Sequence, residues 1–167
     1  MFWFPWLKKE LQKQGYEVIA LKMPNPIYPK IEEWIPFIQK QIKRPGKNTV
    51  FIGHSIGCQT ILRYLETLPV KVQVGPVILV APFFELDGVE KEIARPWLEA
   101  PMDIKKIKKH LTKIVAIFSD DDPLVPLKNK EHFSKHFKSK IIVLKGRNHF
   151  VTKLKFPELL QEIESSL

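Results

Sequence analysis

Two kinds of apolar block alternate along the chain. Trp6, Leu7 and Leu11 share one helical face, with Pro5 near the start and Gly15 just past the end, which predicts a helix over Trp6–Gln14. Tyr16–Leu21 is a short apolar run with β-branched residues and reads as a buried strand. Pro24, Pro26 and Pro29 make the next stretch a loop, because proline has no N–H for a ladder or helix. Ile31, Trp34, Ile35, Ile38 and Ile42 then fall at helical spacing over Lys30–Lys43, with Pro36 expected to kink that helix or mark a break in it. Thr49–Ile52 is a strand, Gly53–Gly57 a tight turn and Ile56–Leu68 a helix, followed by a continuously apolar strand at Pro76–Ala81 of the kind covered on both faces. Residues 82–103, with Pro82, Pro96 and Pro101 among Phe83, Phe84 and Trp97, read as an irregular, cap-like segment. Helices at Ile104–His110, Leu127–Phe137 and Phe156–Ile163 separate strands at Lys113–Phe118 and Ile141–Leu144. Five strands alternating with helices predict an α/β fold in three layers, a mostly parallel sheet with helices on both faces.

Composition narrows the picture. The chain has 167 residues, enough for one domain over 1–167 that buries roughly two-thirds of its unfolded surface. Cys58 is the single cysteine, which excludes an internal disulfide framework and suits a reducing, cytoplasmic setting. No run approaches the roughly 18 apolar residues of a membrane span, and the apolar MFWFPW opening precedes its charges, Lys8 and Lys9, the reverse of a secretory signal. The net charge of +9 raises the question of an anionic partner. It comes mostly from dispersed lysines such as Lys105, Lys106, Lys108 and Lys109, with arginine only at 44, 63, 95 and 147, which reads as a solvated surface. Neither a nucleic acid nor a membrane is expected as partner.

Gly53-His54-Ser55-Ile56-Gly57 lies between a predicted strand and a predicted helix. That is the setting of a nucleophile elbow, where a sharp turn lifts a serine Oγ clear of the sheet and flanking glycines make room. A serine hydroxyl needs a base, and the base an orienting acid. Ser119-Asp120-Asp121-Asp122 follows one later strand and Gly146-Arg147-Asn148-His149 another, in the order the chemistry requires. Spacing does not choose among the three aspartates, and one of them could cap the next helix or hold a cation. Among the other histidines, His54 is expected to shape the turn, and His132 and His136 to lie on a helix surface without the glutamate of a metalloprotease helix. His110 is expected at a helix end, where a cation suits the dipole. Cys58 reads as a buried packing residue. No metal or cofactor is expected.

GHSIGC, SDDDPLVP and GRNHF, with WFPWLKKEL, GYEV and MPNP, resemble the small α/β-hydrolase family that includes retinoblastoma-binding protein nine. The resemblance implies a serine hydrolase with Ser55 as nucleophile, His149 as base and Asp122, in Asp122-Pro-Leu-Val-Pro126, as acid. The Ile56 N–H would be one oxyanion donor. Arg95-Pro96-Trp97 matches a family segment that would overhang the site, so Trp97 and Phe83 are candidate substrate contacts. Family members carry a further upstream strand and a loop with the second oxyanion donor. The chain is therefore expected to be N-terminally truncated relative to them, with a central strand missing between Tyr16–Leu21 and Thr49–Ile52. The expected activity is hydrolysis of small carboxylic esters or amides; the alternative is a catalytically impaired or inactive binding protein on the same fold.

Overall fold

Four short strands form one parallel sheet: β1 (Phe51–His54), β2 (Val77–Val80), β3 (Ile114–Ser119) and β4 (Lys140–Leu144), in the order β1-β2-β3-β4. The structure is a computed structural model that describes residues 3–88 and 90–167; Met1 and Phe2 of the apolar opening lie outside the described residues. Every residue of β2 and β3 is buried, as expected of central parallel strands covered on both faces. In register, Phe51 stands beside Val77, Val77 beside Ile114, and Ala116 beside Ile141. β4 closes one edge and is partly solvated, with Val143 42% exposed. Because the strands are parallel and in chain order, the loops after β1, β3 and β4 all leave from one end of the sheet. That common end is what brings distant residues together.

The helices are α1 (Phe4–Lys13), α2 (Ile31–Gln41), α3 (Ile56–Glu66), α4 (Glu90–Glu99), α5 (Ile104–His110), α6 (Asn129–Phe137) and α7 (Pro157–Glu164). Each buries the face its periodicity defines: Leu7 and Leu11 in α1, Trp34, Ile35 and Ile38 in α2, Leu159 and Ile163 in α7. α3 packs on β1 and stands in a row with α2 on one side and α5, then α6, on the other. α1 pairs with α7 apart from that row, and Gln14 Nε2 donates to Glu164 Oε1 across them at 2.6 Å. α2 runs unbroken across Pro36. Both Pro36 and Glu32, whose carbonyl loses its helical donor, lie on the exposed side, where water can replace the bond.

Two expectations are corrected. Tyr16–Leu21 is not a strand, so the sheet has four strands rather than five. Its β-forming composition has no ladder to join: among the described residues β1 pairs with β2 alone, and Tyr16 and Ile19 are 41% and 59% exposed. Residues 82–103 contain a helix, α4, that the prolines disguised. Ala94 and Trp97 are buried one turn apart while Lys91, Glu92, Arg95 and Glu99 stay exposed, a helical pattern that tolerates Pro96 on its solvent side. His110 ends α5 as expected and is fully buried there, its Nδ1–H donating to the Val72 carbonyl at 2.7 Å.

Candidate active site

Ser55 sits at the junction of β1 and α3 with φ 53° and ψ −122°, a backbone that side chains rarely adopt. Its N–H donates to the Val80 carbonyl at 2.9 Å, so the β1–β2 ladder runs into the turn and holds the strained residue. The flanking glycines differ. A Cβ on Gly53 would meet Ile61 Cδ1 at 2.8 Å and the Cys58 backbone at 3.0 Å, so strand and helix cross there only because Gly53 has no side chain. Gly57 has nothing within 4 Å of its missing Cβ, so crowding does not require it. Cys58 is fully buried behind the turn with Sγ donating to the Val80 carbonyl at 3.3 Å; burial pushes its thiol far above the ordinary cysteine range. Ile56 is the first residue of α3, and its N–H is among those that have no acceptor within the helix.

His149 reaches Ser55 from the loop after β4. The serine hydroxyl donates to His149 Nε2 at 3.0 Å, and His149 Nδ1–H donates to Asp122 Oδ2 at 2.9 Å and Oδ1 at 3.1 Å. The Asp122 side chain is 2% exposed, and its Oδ1 also accepts the backbone N–H groups of Leu124 and Val125 at 2.9 and 3.0 Å. Acceptance of those bonds fixes the carboxylate's direction and keeps it an acceptor.

The other two aspartates have different work. Asp120 Oδ1 accepts from the Gly146 N–H at 2.9 Å, and Asp121 Oδ1 from Ser119 Oγ at 2.6 Å and the Asn148 N–H at 2.7 Å. Ser119 Oγ in turn accepts the Arg147 N–H at 2.9 Å. The Ser119 hydroxyl first, and the Asn148 N–H second, hold the Asp121 carboxyl below the usual range. Ser119 at the end of β3 and the two aspartates after it thus hold three successive amides of the next loop, and only Asp122 points at the imidazole.

Two side chains whose part in this arrangement the sequence pattern did not disclose meet the His149 loop from the other side. His54 Nε2–H donates to the His149 carbonyl at 2.8 Å, and the Trp3 indole N–H donates to the Phe150 carbonyl at 2.9 Å. The loop they meet is strained, with φ of 52° at Asn148 and 57° at Phe150. The position of His54 beside Ser55 was the only available signal, and for Trp3 there was none.

The candidate substrate contacts are both buried. Phe83 is 1% exposed in the core, and its carbonyl accepts Gln59 Nε2 at 2.6 Å. Trp97 is also 1% exposed; its indole donates to the Pro29 carbonyl at 2.8 Å and packs edge-on to Trp34. Among the described residues neither shares a hydrogen bond or ring contact with Ser55, His149 or Asp122. Trp97, Phe84, Met102 and His136 line a cavity of about 200 Å3 beside α3. The end of α4 is fastened to α3 by Arg63, which donates to the carbonyls of Trp97, Ala100 and Pro101 at 2.8, 2.9 and 3.0 Å. His132 and His136 are half-buried against Phe84, and His132 Nε2 meets Glu85 at 2.9 Å. Among the described residues no three His, Cys, Asp or Glu side chains could hold a metal ion together, and no helix is long and apolar enough to cross a membrane.

A parallel sheet with a strained serine between strand and helix is the architecture of the α/β-hydrolases. The chain belongs to the serine hydrolase family, whose model matches residues 1–164. It is 32% identical over 166 residues to the rat serine hydrolase RBBP9, covering 99% of this chain and 86% of that one. It is 31% identical over 149 residues to the Bacillus subtilis protein YdeN, covering 89% of this chain and 78% of YdeN. The crystal structure of the B. subtilis ydeN gene product superposes with a TM-score of 0.91 at 28% identity, covering 99% of this chain and 90% of that one. The Paleococcus ferrophilus monoacylglycerol lipase shares the fold at a TM-score of 0.70 and 17% identity, with 97% of this chain and 87% of that one covered.

Proposed function

We propose that the protein hydrolyses small carboxylic esters or amides through an acyl-enzyme, with Ser55 as nucleophile, His149 as general base and Asp122 as the acid that orients it. The observation that carries this reading is the continuous chain from Ser55 Oγ to His149 Nε2 and from His149 Nδ1 to Asp122, at 3.0 and 2.9 Å. Distances of this size are within reach for proton transfer. Asp122 accepts at Nδ1, so the neutral imidazole keeps its proton there and leaves Nε2 free to take the serine proton.

In acylation, Ser55 Oγ bonds to the substrate carbonyl carbon as its proton passes to His149 Nε2. The carbonyl oxygen becomes an oxyanion. The Ile56 N–H at the start of α3 donates to it, and the positive end of the helix dipole adds to the stabilisation. Collapse breaks the bond to the leaving group, which departs with the proton from His149. Water, deprotonated by the same imidazole, then attacks the acyl-serine; the bond from the acyl carbon to Ser55 Oγ breaks, Oγ takes the proton back from His149, and the acid is released. Asp122 stays ionised and stabilises the imidazolium that each half-reaction forms. Membership of the serine hydrolase family supports the reading.

The test is a series of short- and medium-chain p-nitrophenyl esters and one matching anilide, assayed with the purified chain, Ser55→Ala and Asp122→Asn. Turnover that vanishes with Ser55→Ala supports the proposal. Turnover that Ser55→Ala leaves unchanged overturns it.

A further inference from the structure

We infer that His54 is a positioning residue that ties the nucleophile's turn to the loop of its base, acting through the His149 carbonyl. The inference rests on the triad proposed above and adds a residue to it.

Ser55 and His149 stand 94 positions apart in the chain and must be held at hydrogen-bond distance. The covalent path between them runs through several strands and helices, so small errors accumulate. His54 gives a far shorter path. It is the residue bonded to Ser55, and its Nε2–H donates to the carbonyl of His149 itself at 2.8 Å. One peptide link and one hydrogen bond therefore join the two reacting residues. The His54 and His149 rings lie 4.9 Å apart, and Trp3 stands edge-on to His54 at 6.0 Å, so the imidazole has little room to turn.

The hydrogen bond points in one direction. A carbonyl can only accept, so His54 Nε2 carries the proton. Burial, and secondarily the neighbouring His149, lower His54 from 6.5 to about 4, so it is neutral at neutral pH. His54 therefore donates without placing a second positive charge beside the imidazolium that His149 becomes during turnover.

The loop it holds needs holding. Asn148 and Phe150 on either side of His149 have positive φ, and such residues persist only where their surroundings over-determine them. Asp120, Ser119 and Asp121 hold the loop by its amides at Gly146, Arg147 and Asn148 respectively. His54 and Trp3 hold it by the next two carbonyls, at His149 and Phe150. His149 is thus clamped from both sides, and His54 is the part of the clamp attached to the nucleophile.

A buried histidine with a backbone partner could instead serve packing alone, and the experiment separates the two roles. His54→Phe keeps an aromatic ring and loses the donor; His54→Gln loses the ring and keeps an N–H of similar reach. Turnover of p-nitrophenyl acetate and the rate of fluorophosphonate labelling are measured for both, with Ser55→Ala alongside. The expected result is a kcat about 10–100-fold lower for His54→Phe with KM within a few-fold, since small misplacements of reacting groups have effects of that size. Labelling slows by the same factor, and His54→Gln recovers most of the loss. A His54→Phe variant with wild-type kcat overturns the inference, as does a His54→Gln variant that is as slow as His54→Phe, or a loss confined to KM. If His54→Phe does not fold by circular dichroism, His54→Asn replaces it. Its amide is too short to reach the carbonyl, so equal rates for the Asn and Gln variants overturn the inference. Activity that survives Ser55→Ala would instead refute the triad reading, whatever the His54 variants do.

Discussion

Substituting alanine at the two glycines of the elbow should have effects of opposite sign. In Gly53→Ala the new methyl would lie 2.8 Å from Ile61 Cδ1 and 3.0 Å from both Cα and N of Cys58. The isoleucine tip can rotate away, but the Cys58 backbone belongs to the first turn of α3 and moves only with the helix. Overpacking of this kind costs about 1–3 kcal/mol. At this chain length that is a fall of roughly 2–12 °C in Tm. A displaced α3 also carries Ser55 away from His149, so labelling by a fluorophosphonate should slow more than the stability loss alone explains. In Gly57→Ala the methyl enters open space on the second residue of a helix with ordinary φ. Alanine is the better helix former by up to about 1 kcal/mol, so Tm should hold or rise. Urea denaturation gives both stabilities, and intact mass against time gives both labelling rates. A Gly53→Ala protein as stable and as quickly labelled as wild type would refute the close approach of β1 and α3. Equal destabilisation by both alanines would refute the distinction between them.

Three further outcomes follow from the same geometry. Asp122→Asn should leave the fold intact and lower kcat by about 10⁴-fold, because the amide can present its N–H to His149 Nδ1 and reverse the tautomer; a loss under tenfold in steady-state assays would contradict the orienting role. Arg63→Ala removes three hydrogen bonds to the carbonyls of Trp97, Ala100 and Pro101 and should cost about 2–4 kcal/mol in urea unfolding, with cleavage by a protease in residues 90–101 as the sign that α4 has come loose; unchanged stability would show that α4 is held by other contacts. His54 makes stability depend on pH: below 6.5 the unfolded chain takes up a proton that the folded protein refuses until about 4, so stability should fall by about 3 kcal/mol as pH drops across that window and level off beneath it. The His54 share is the difference between wild type and His54→Gln, and parallel curves would refute it.

The parts of the fold legible in the sequence were those set by local pattern. Ile56–Glu66 and Ile104–His110 announce themselves by helical spacing, and Val77–Val80 by an unbroken apolar run. Ser55, His149 and the group Asp120–Asp122 were legible because each follows a strand, and parallel strands in chain order deliver those loops to one end of the sheet; only the family resemblance singled out Asp122. What failed depended on partners distant in sequence. Tyr16–Leu21 has the composition of a strand, but a ladder needs a neighbour and composition does not supply one. Prolines masked α4, since a single proline on a helix's solvent side has little effect there. Among the three aspartates the pattern could not assign directions, which are set by the amides of residues 146–148 and the ring of His149 meeting them. Likewise Gly53 and Gly57 look equivalent in the motif, and only the approach of Cys58 and Ile61 distinguishes them. His54 was read as part of its own turn because nothing nearby in the sequence indicates a carbonyl 95 residues away.

The central claim is that Ser55, His149 and Asp122 form a working nucleophilic unit. Incubation with a fluorophosphonate followed by intact-mass measurement tests it most directly, with Ser55→Ala as control and circular dichroism to show that both chains fold. One adduct per chain, absent in Ser55→Ala, is the predicted result. A folded wild-type chain that takes up no adduct, or an adduct that persists in Ser55→Ala, would contradict it.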